Sequence, residues 1–131
     1  EQQEAKRVEL YRNHLMLAEN LQDIPEDFLG NWFVVPCPAN TRRMLVISAN
    51  GTRLSSSVLI SLGITFCRAV DGTISDKFSS ALPNGNQSKR EGASSFCILD
   101  CLFHEPSKTY FVLDIMAWKG YLYYECETSF R

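Results

Sequence analysis

The chain has 131 residues, the size of one ordinary domain, of which 45% are hydrophobic and 21% are charged. Its 13 Lys and Arg against 15 Asp and Glu give a net charge of −2, which excludes a protein that coats nucleic acid through bulk positive charge. No apolar run approaches the roughly 20 residues that a membrane-spanning helix needs, so we expect no membrane partner.

Charge is distributed unevenly along the chain. Residues 42–90 contain seven Lys and Arg against two Asp, a net charge of +5, while the flanking segments are neutral or acidic. This pattern indicates either one local site for an anionic ligand or a solvated face of unrelated charges. The charges alone leave both interpretations open.

The N-terminal part predicts a helix followed by two strands. Apolar residues recur at three- and four-residue steps over 5–15, and the helix should end at the Asp-Ile-Pro run at 23–25, because the residue before proline avoids helical backbone angles. Trp32–Val35 and Met44–Ile47 then predict a pair of strands, and Asn50-Gly51 predicts a turn.

The middle of the chain is less regular. Residues 54–66 are β-prone and uncharged, and they indicate a buried strand, an inserted loop or a mistranslated, unspliced segment. Ser75 or Asp76 resembles the N-cap of a short helical turn through Ala81, which the Pro-Asn-Gly run at 83–85 should stop. A polar, basic loop follows.

The last third predicts an antiparallel meander. Apolar runs at 96–103, 109–118 and 121–124 read as three strands, separated by turn residues at 105–108 and 119–120. Few polar residues interrupt these runs, so we expect at least one of the strands to be central in its sheet.

The sequence contains few candidate residues for catalysis or metal binding. The five cysteines form an odd set that favours reduced thiols in a cytosolic or nuclear protein, and His14 and His104 lie at no ligand-like spacing, so we expect no metal. Asp100 and Asp114 follow Leu in two facing strands; they are either a carboxylate pair or acceptors for backbone and Arg donors. Aromatic residues and arginines together suit either a nucleobase site or an ordinary core.

Several collinear stretches resemble one known family. They are residues 15–17 with 23–25, 34–38, 78–86, 98–101, and 110–120 with 124–131. In this order they resemble the trimethylguanosine-cap-binding domain of the snurportins, the import adaptors of spliceosomal U snRNPs. The resemblance covers 15–131 except for 54–67, a doubtful insertion, and leaves 1–14 as a helical lead-in or linker.

The resemblance implies a fold and argues against catalysis. It implies an α+β domain of antiparallel β-sheets with few helices, similar to the nucleotide-binding domain of mRNA guanylyltransferases and DNA ligases. Those enzymes form a covalent lysyl-nucleotide, but Ala69 stands here where their lysine would be. We therefore expect a binding domain without enzymatic activity and without a cofactor.

The resemblance also assigns cap contacts by position. It implies base packing on Leu17, phosphate and ribose contacts on Thr41-Arg42-Arg43, and an apolar wall at Leu102. Ala18 stands where the family has a hydroxyl contact, and Arg68 is the closest substitute for a family lysine that falls near Val70. Leu17 and Leu102 are equally compatible with core positions, and the two arginines with solvated turn charges. The family's cap-stacking tryptophan falls beyond Arg131, so we expect the domain to continue there.

The implied function is binding of trimethylguanosine-capped U snRNA. For the full-length protein the resemblance implies nuclear import of U snRNPs, with importin-β and an exportin as partners and with shuttling between cytoplasm and nucleus. Two alternatives stay open: a nucleotidyltransferase-like domain, catalytic or degenerate, and a β-rich module for protein interaction.

Overall fold

The computed structural model describes residues 21–49, 64–69, 73–88, 91–92, 94–123 and 125–131. These residues form one six-stranded antiparallel sheet and one short helix, α1, at Phe28–Asn31. The predicted β-rich architecture with few helices is confirmed for this part of the chain. The predicted opening helix and the Asn50-Gly51 turn lie outside the described residues, as do Leu17 and Ala18.

The sheet is built around its first strand. The strands are β1 (Thr41–Ala49), β2 (Ile64–Ala69), β3 (Ile74–Phe78), β4 (Cys97–His104), β5 (Thr109–Trp118) and β6 (Tyr121–Leu122). Their order across the sheet is β3-β2-β1-β4-β5-β6, with every pair antiparallel. Because β1 has a neighbour on both sides, it joins the β2–β3 hairpin to the C-terminal meander.

Burial of β1 explains why its sequence is apolar without alternation. All six residues of Met44–Ala49 are buried, as is usual for a central strand that is covered on both faces. One face carries the main hydrophobic cluster, and we call it the core face: Met44, Val46, Cys67, Cys97, Leu99, Cys101 and Phe103. Leu82 packs against this cluster from the loop that follows β3.

The predicted C-terminal meander is confirmed. β4, β5 and β6 follow one another in the sheet, and the chain reverses between them at 105–108 and 119–120. Lys108 (φ 52°), Lys119 (φ 49°) and Gly120 (φ 84°) take positive φ at these turns. Among the described residues, no helix is long and apolar enough to cross a membrane.

The sheet also corrects two predictions. Ile74–Phe78 is strand β3 and not a helical turn, since its backbone pairs with β2, where Phe66 faces Lys77 and Cys67 faces Asp76. Trp32–Val35 is exposed and lies outside any strand, and β1 begins only at Thr41. Of the doubtful insertion, residues 64–67 lie in β2, paired with β1, and residues 54–63 lie outside the described part.

The Pro-Asn-Gly run at 83–85 forms the predicted turn, and Asn84 ties it to the next loop. Asn84 has φ 54° and is fully buried. Its amide nitrogen donates to the carbonyl oxygens of Gly92 (3.0 Å) and Ser95, and its amide oxygen accepts from the Glu91 N–H at 2.7 Å. Both donors of this buried amide and one of the two acceptor sites on its oxygen are therefore used within the fold.

Candidate functional site

Strand alternation puts neighbouring site residues on opposite faces of the sheet. Arg43 is the register partner of Leu102, and Arg42 is the register partner of Phe103. Directly opposed residues of an antiparallel pair share a face, and consecutive residues point to opposite faces. Thr41, Arg43 and Leu102 therefore lie on one side, which we call the Arg43 face, and Arg42 lies on the core face.

Arg43 is held by a buried carboxylate on the neighbouring strand. Its Nε donates to Asp100 Oδ1 at 3.0 Å, and its Nη2 donates to Asp100 Oδ2. The Asp100 side chain has no exposed surface, whereas that of Arg43 keeps 17%. Burial raises the pKa of Asp100, and the hydrogen bonds and charge of Arg43 oppose that rise. Two parallel charge-assisted bonds of this kind fix the plane of the guanidinium.

The Arg43 face carries a second ion pair beside the first. Asp114 on β5 is the register partner of Asp100, and its charge also acts to raise the pKa of Asp100. Arg131 balances it, with Nη1 3.1 Å from Asp114 Oδ2 and with a side chain that is 1% exposed. We call Arg43, Asp100, Asp114 and Arg131 the charge row. Asp100 thus accepts hydrogen bonds from Arg43, whereas Asp114 forms an ion pair with Arg131 and accepts a hydrogen bond from the backbone N–H of Ile115.

Leu102 and Thr41 are neighbours of Arg43 on the same face of the sheet. Leu102 is half-buried opposite Arg43, and its other register partner is Phe111 on β5, which is 40% exposed. The Thr41 hydroxyl donates to the Pro38 carbonyl at 2.9 Å, which fixes the entry into β1. At this end of the Arg43 face, two apolar side chains, Leu102 on β4 and Phe111 on β5, follow Arg43 across the sheet.

Arg42 has a different environment on the core face. Its guanidinium lies 5.2 Å from the centroid of the Phe103 ring and 3.3 Å from Glu105 Oε2. The Lys108 ammonium lies 5.7 Å from the same ring and also pairs with Glu105. Arg42 therefore belongs to an exposed ion-pair cluster at the β4–β5 hairpin, separated by the sheet from Leu102.

The other predicted contacts are located only in part. Arg68 lies in β2 as the register partner of Leu45, but its side chain lies outside the description, and so do Leu17 and Ala18. The structure thus brings together Thr41, Arg43 and Leu102 and places Arg42 apart from them. Their role as cap contacts stays a prediction.

Three of the five cysteine thiols are part of the core. Cys67, Cys97 and Cys101 are buried and unbridged, and burial raises the pKa of Cys97 to about 11 and that of Cys101 to about 12. Neutral thiols are poor nucleophiles and poor metal ligands. Among the described residues, no cluster of three or more His, Cys, Asp and Glu side chains could hold a metal ion.

Comparison with known families decides the assignment. Residues 14–131 match the family model described as Snurportin1, m3G cap-binding domain. The chain belongs to this family. The match confirms the resemblance seen in the sequence motifs. In this m3G cap-binding domain, the matched range contains all six strands, the charge row and every predicted contact residue from Leu17 to Leu102.

Two features of the site escape the sequence motifs. The first is the separation of Arg42 from Arg43, which strand periodicity would have given if the start of β1 were known. The second is the partnership of Arg131 with Asp114, because it depends on the path of residues 125–131 back towards β5. No local sequence signal marks that contact.

Proposed function

We propose that this domain binds the trimethylguanosine cap of spliceosomal U snRNA through the Arg43 face. The observation that supports the proposal most is the membership of residues 14–131 in the m3G cap-binding family. The geometry supports a location on this face, because Arg43 and Leu102, two of the predicted contacts, are register partners on β1 and β4.

The chemistry of the cap suits these side chains. Methylation at N7 makes the guanine cationic, and the two methyl groups on N2 replace hydrogen-bond donors with apolar surface. Leu102 and the partly exposed Phe111 offer apolar contacts for such a base. The triphosphate bridge requires a cation with several directed donors, which is the property of an arginine such as Arg43.

Arg42 suits a different part of the same ligand. The sheet separates it from Leu102, and Glu105 and Lys108 surround it at the hairpin. Within the proposed function, Arg42 contributes to the positive potential near the phosphates or contacts RNA beyond the cap, while Arg43 acts at the cap itself.

For the full-length protein we propose the role of an import adaptor. It would carry m3G-capped U snRNPs, use importin-β and an exportin as partners, and shuttle between cytoplasm and nucleus. We also propose that the fold of the domain is similar to that of the nucleotide-binding domain of mRNA guanylyltransferases and DNA ligases. These statements follow from the family resemblance.

A binding role without catalysis is supported at the end of β2. By the sequence resemblance, Ala69 stands where the nucleotidyltransferase lysine would be. It is the last residue of β2, and its N–H donates to the Thr73 carbonyl at 2.9 Å. A methyl side chain has no amine with which to form a lysyl-nucleotide, so the covalent chemistry of those enzymes has no nucleophile at this position.

Thermal melting with a set of nucleotides tests the proposal. A ligand that binds only the folded state raises the melting temperature, and at a given concentration the rise is larger for a ligand with a smaller dissociation constant. The m3GpppG cap analogue should raise it more than m7GpppG or GTP at the same concentration. Equal shifts for all three would reject cap recognition, and a radioactive adduct from labelled GTP that survives denaturing gel electrophoresis would favour the nucleotidyltransferase alternative.

A further inference from the structure

The carboxylate of Asp100 is too deeply buried to contact a ligand directly. Its side chain is completely buried, and its two oxygens accept from Nε and Nη2 of Arg43. The direct link from Asp100 to a ligand is therefore Arg43, the register partner of Leu102, whose side chain is 17% exposed.

Asp114 and Arg131 complete the electrostatic surroundings of Asp100. Asp100 lies on β4 between β1 and β5, and its register partner Asp114 is balanced by Arg131. Two opposed carboxylates repel each other unless each has a cation. Because Arg131 supplies the second cation, Asp100 can stay ionised as the partner of Arg43.

An arginine whose guanidinium is already oriented contributes more to ligand affinity than a mobile one. Arginine loses side-chain freedom when it contacts a phosphate, and a group that is already oriented loses less on binding. Because two hydrogen bonds to Asp100 already orient the guanidinium in the folded protein, the loss of Arg43 side-chain freedom occurs on folding and not on ligand binding. We propose that Asp100 is a positioning residue of the cap site, which orients the Arg43 guanidinium beside Leu102 for the triphosphate bridge. This role rests on the proposed cap-binding function.

The test compares a ligand that has phosphates with one that lacks them. Asp100→Asn should weaken binding of m3GpppG about tenfold, the effect of losing one good charge-assisted hydrogen bond. It should leave the affinity for the trimethylguanosine nucleoside unchanged, because the nucleoside has no phosphate for Arg43. A merely structural role would weaken both ligands together, and that result would overturn the proposal.

A double-mutant cycle gives an independent criterion. If Asp100 acts through Arg43, Asp100→Asn should have no further effect on m3GpppG affinity in an Arg43→Ala background. An effect of the same size in both backgrounds would contradict the proposal. Glu125→Gln removes one carboxylate at an exposed position and is the matched charge control, expected to bind both ligands like the wild type.

Asp100→Asn leaves Arg43 without its anion and can prevent folding, so a second variant is needed. Arg43→Lys keeps a cation next to Asp100 but removes the planar two-donor contact. Circular dichroism establishes that each variant is folded. Arg43→Lys should lose affinity for m3GpppG and keep that for the nucleoside, and full retention of m3GpppG affinity would overturn the proposal.

Binding by the wild-type protein distinguishes a failure of the proposed cap-binding function from a failure of the positioning role of Asp100. If it binds neither ligand, the proposed function fails, and the positioning role fails with it. If it binds m3GpppG and Asp100→Asn binds equally well, only the positioning role is wrong.

Discussion

Asp100 and Asp114 lie directly opposite each other on β4 and β5, and each carboxylate is paired with a different arginine. Arg43 comes from the first strand and Arg131 from the segment after the last one. Two directly opposed aspartates in a sheet repel each other. Each arginine neutralises one of the two carboxylates, so both ion pairs are needed to offset this repulsion. The two ion pairs thereby connect β1 to β4 and β5 to residues 125–131 through side chains.

The two neighbouring arginines of β1 should differ sharply in their effect on stability. Arg43→Ala leaves the buried Asp100 carboxylate without its cation, which costs about 3 kcal/mol of unfolding free energy. Arg42→Ala removes an exposed pair with Glu105 and should change stability little. Urea denaturation measures the unfolding free energy of both variants. Equal losses of unfolding free energy would show that the buried Arg43–Asp100 pair stabilises the fold no more than the exposed Arg42–Glu105 pair.

Gly120 should not tolerate a side chain. Its φ of 84° is unfavourable for other residues, and a Cβ there would overlap the Ser94 carbonyl oxygen. We expect Gly120→Ala to cost at least about 1 kcal/mol, measured as a lower midpoint of urea unfolding. Gly30→Ala is the control, because a Cβ at Gly30 meets nothing within 4 Å. Gly120→Ala with the stability of Gly30→Ala would contradict the geometry of this turn.

Asn84 should be the most sensitive polar residue of the loops. Asn84→Ala removes three hydrogen bonds from a buried site and leaves the partners on Glu91, Gly92 and Ser95 without them, at a cost of about 2–3 kcal/mol. The control is Asn31→Ala, which removes one exposed side-chain contact with Asp27. Thermal unfolding followed by circular dichroism compares the two, and a similar melting temperature for both variants would refute the predicted role.

Stability should fall in alkaline solution because of the buried thiols. Their pKa rises on folding from an ordinary value of 9.0 to about 11 for Cys97 and about 12 for Cys101. Between pH 9 and 11 the unfolded chain therefore releases protons that the folded chain keeps. The thiol contribution is complete below pH 9 and is lost above it, at about 1.4 kcal/mol per pH unit for each thiol.

Unfolding free energies measured by urea titration across this pH range test the thiol prediction. Cys97→Ala and Cys101→Ala should each make the decline shallower, because each removes one group that titrates only in the unfolded chain. A wild-type stability that is constant from pH 8 to 11, or a slope that neither variant changes, would be inconsistent with buried neutral thiols.

The meander is predictable from the sequence because its apolar runs are adjacent and separated by short turns. β3 is not, because Ser75 and Asp76 have the local chemistry of a helix N-cap, and only pairing with β2 makes the segment a strand. Trp32–Val35 shows the converse, since its residues favour strands but no neighbouring strand pairs with them among the described residues. In both cases a partner distant from the local pattern decides the structure.

The site is predictable as a list of residues but not as an arrangement. Family motifs put Arg42 and Arg43 in one group, and β1 puts them on opposite faces. The alternation that would reveal this is hidden because the next six residues, Met44–Ala49, are buried on both faces of a central strand. Asp100 is recognised as an acceptor for arginine, but the choice of Arg43 depends on the diagonal contact between β1 and β4.

The most direct test of cap recognition is an equilibrium titration of the protein with m3GpppG and m7GpppG, followed by fluorescence. The two ligands share the cationic base and the phosphate bridge and differ only in the two methyl groups on N2. Our account predicts tighter binding of m3GpppG, with the preference carried by apolar contacts such as those at Leu102. Equal dissociation constants, or tighter binding of m7GpppG, would contradict it.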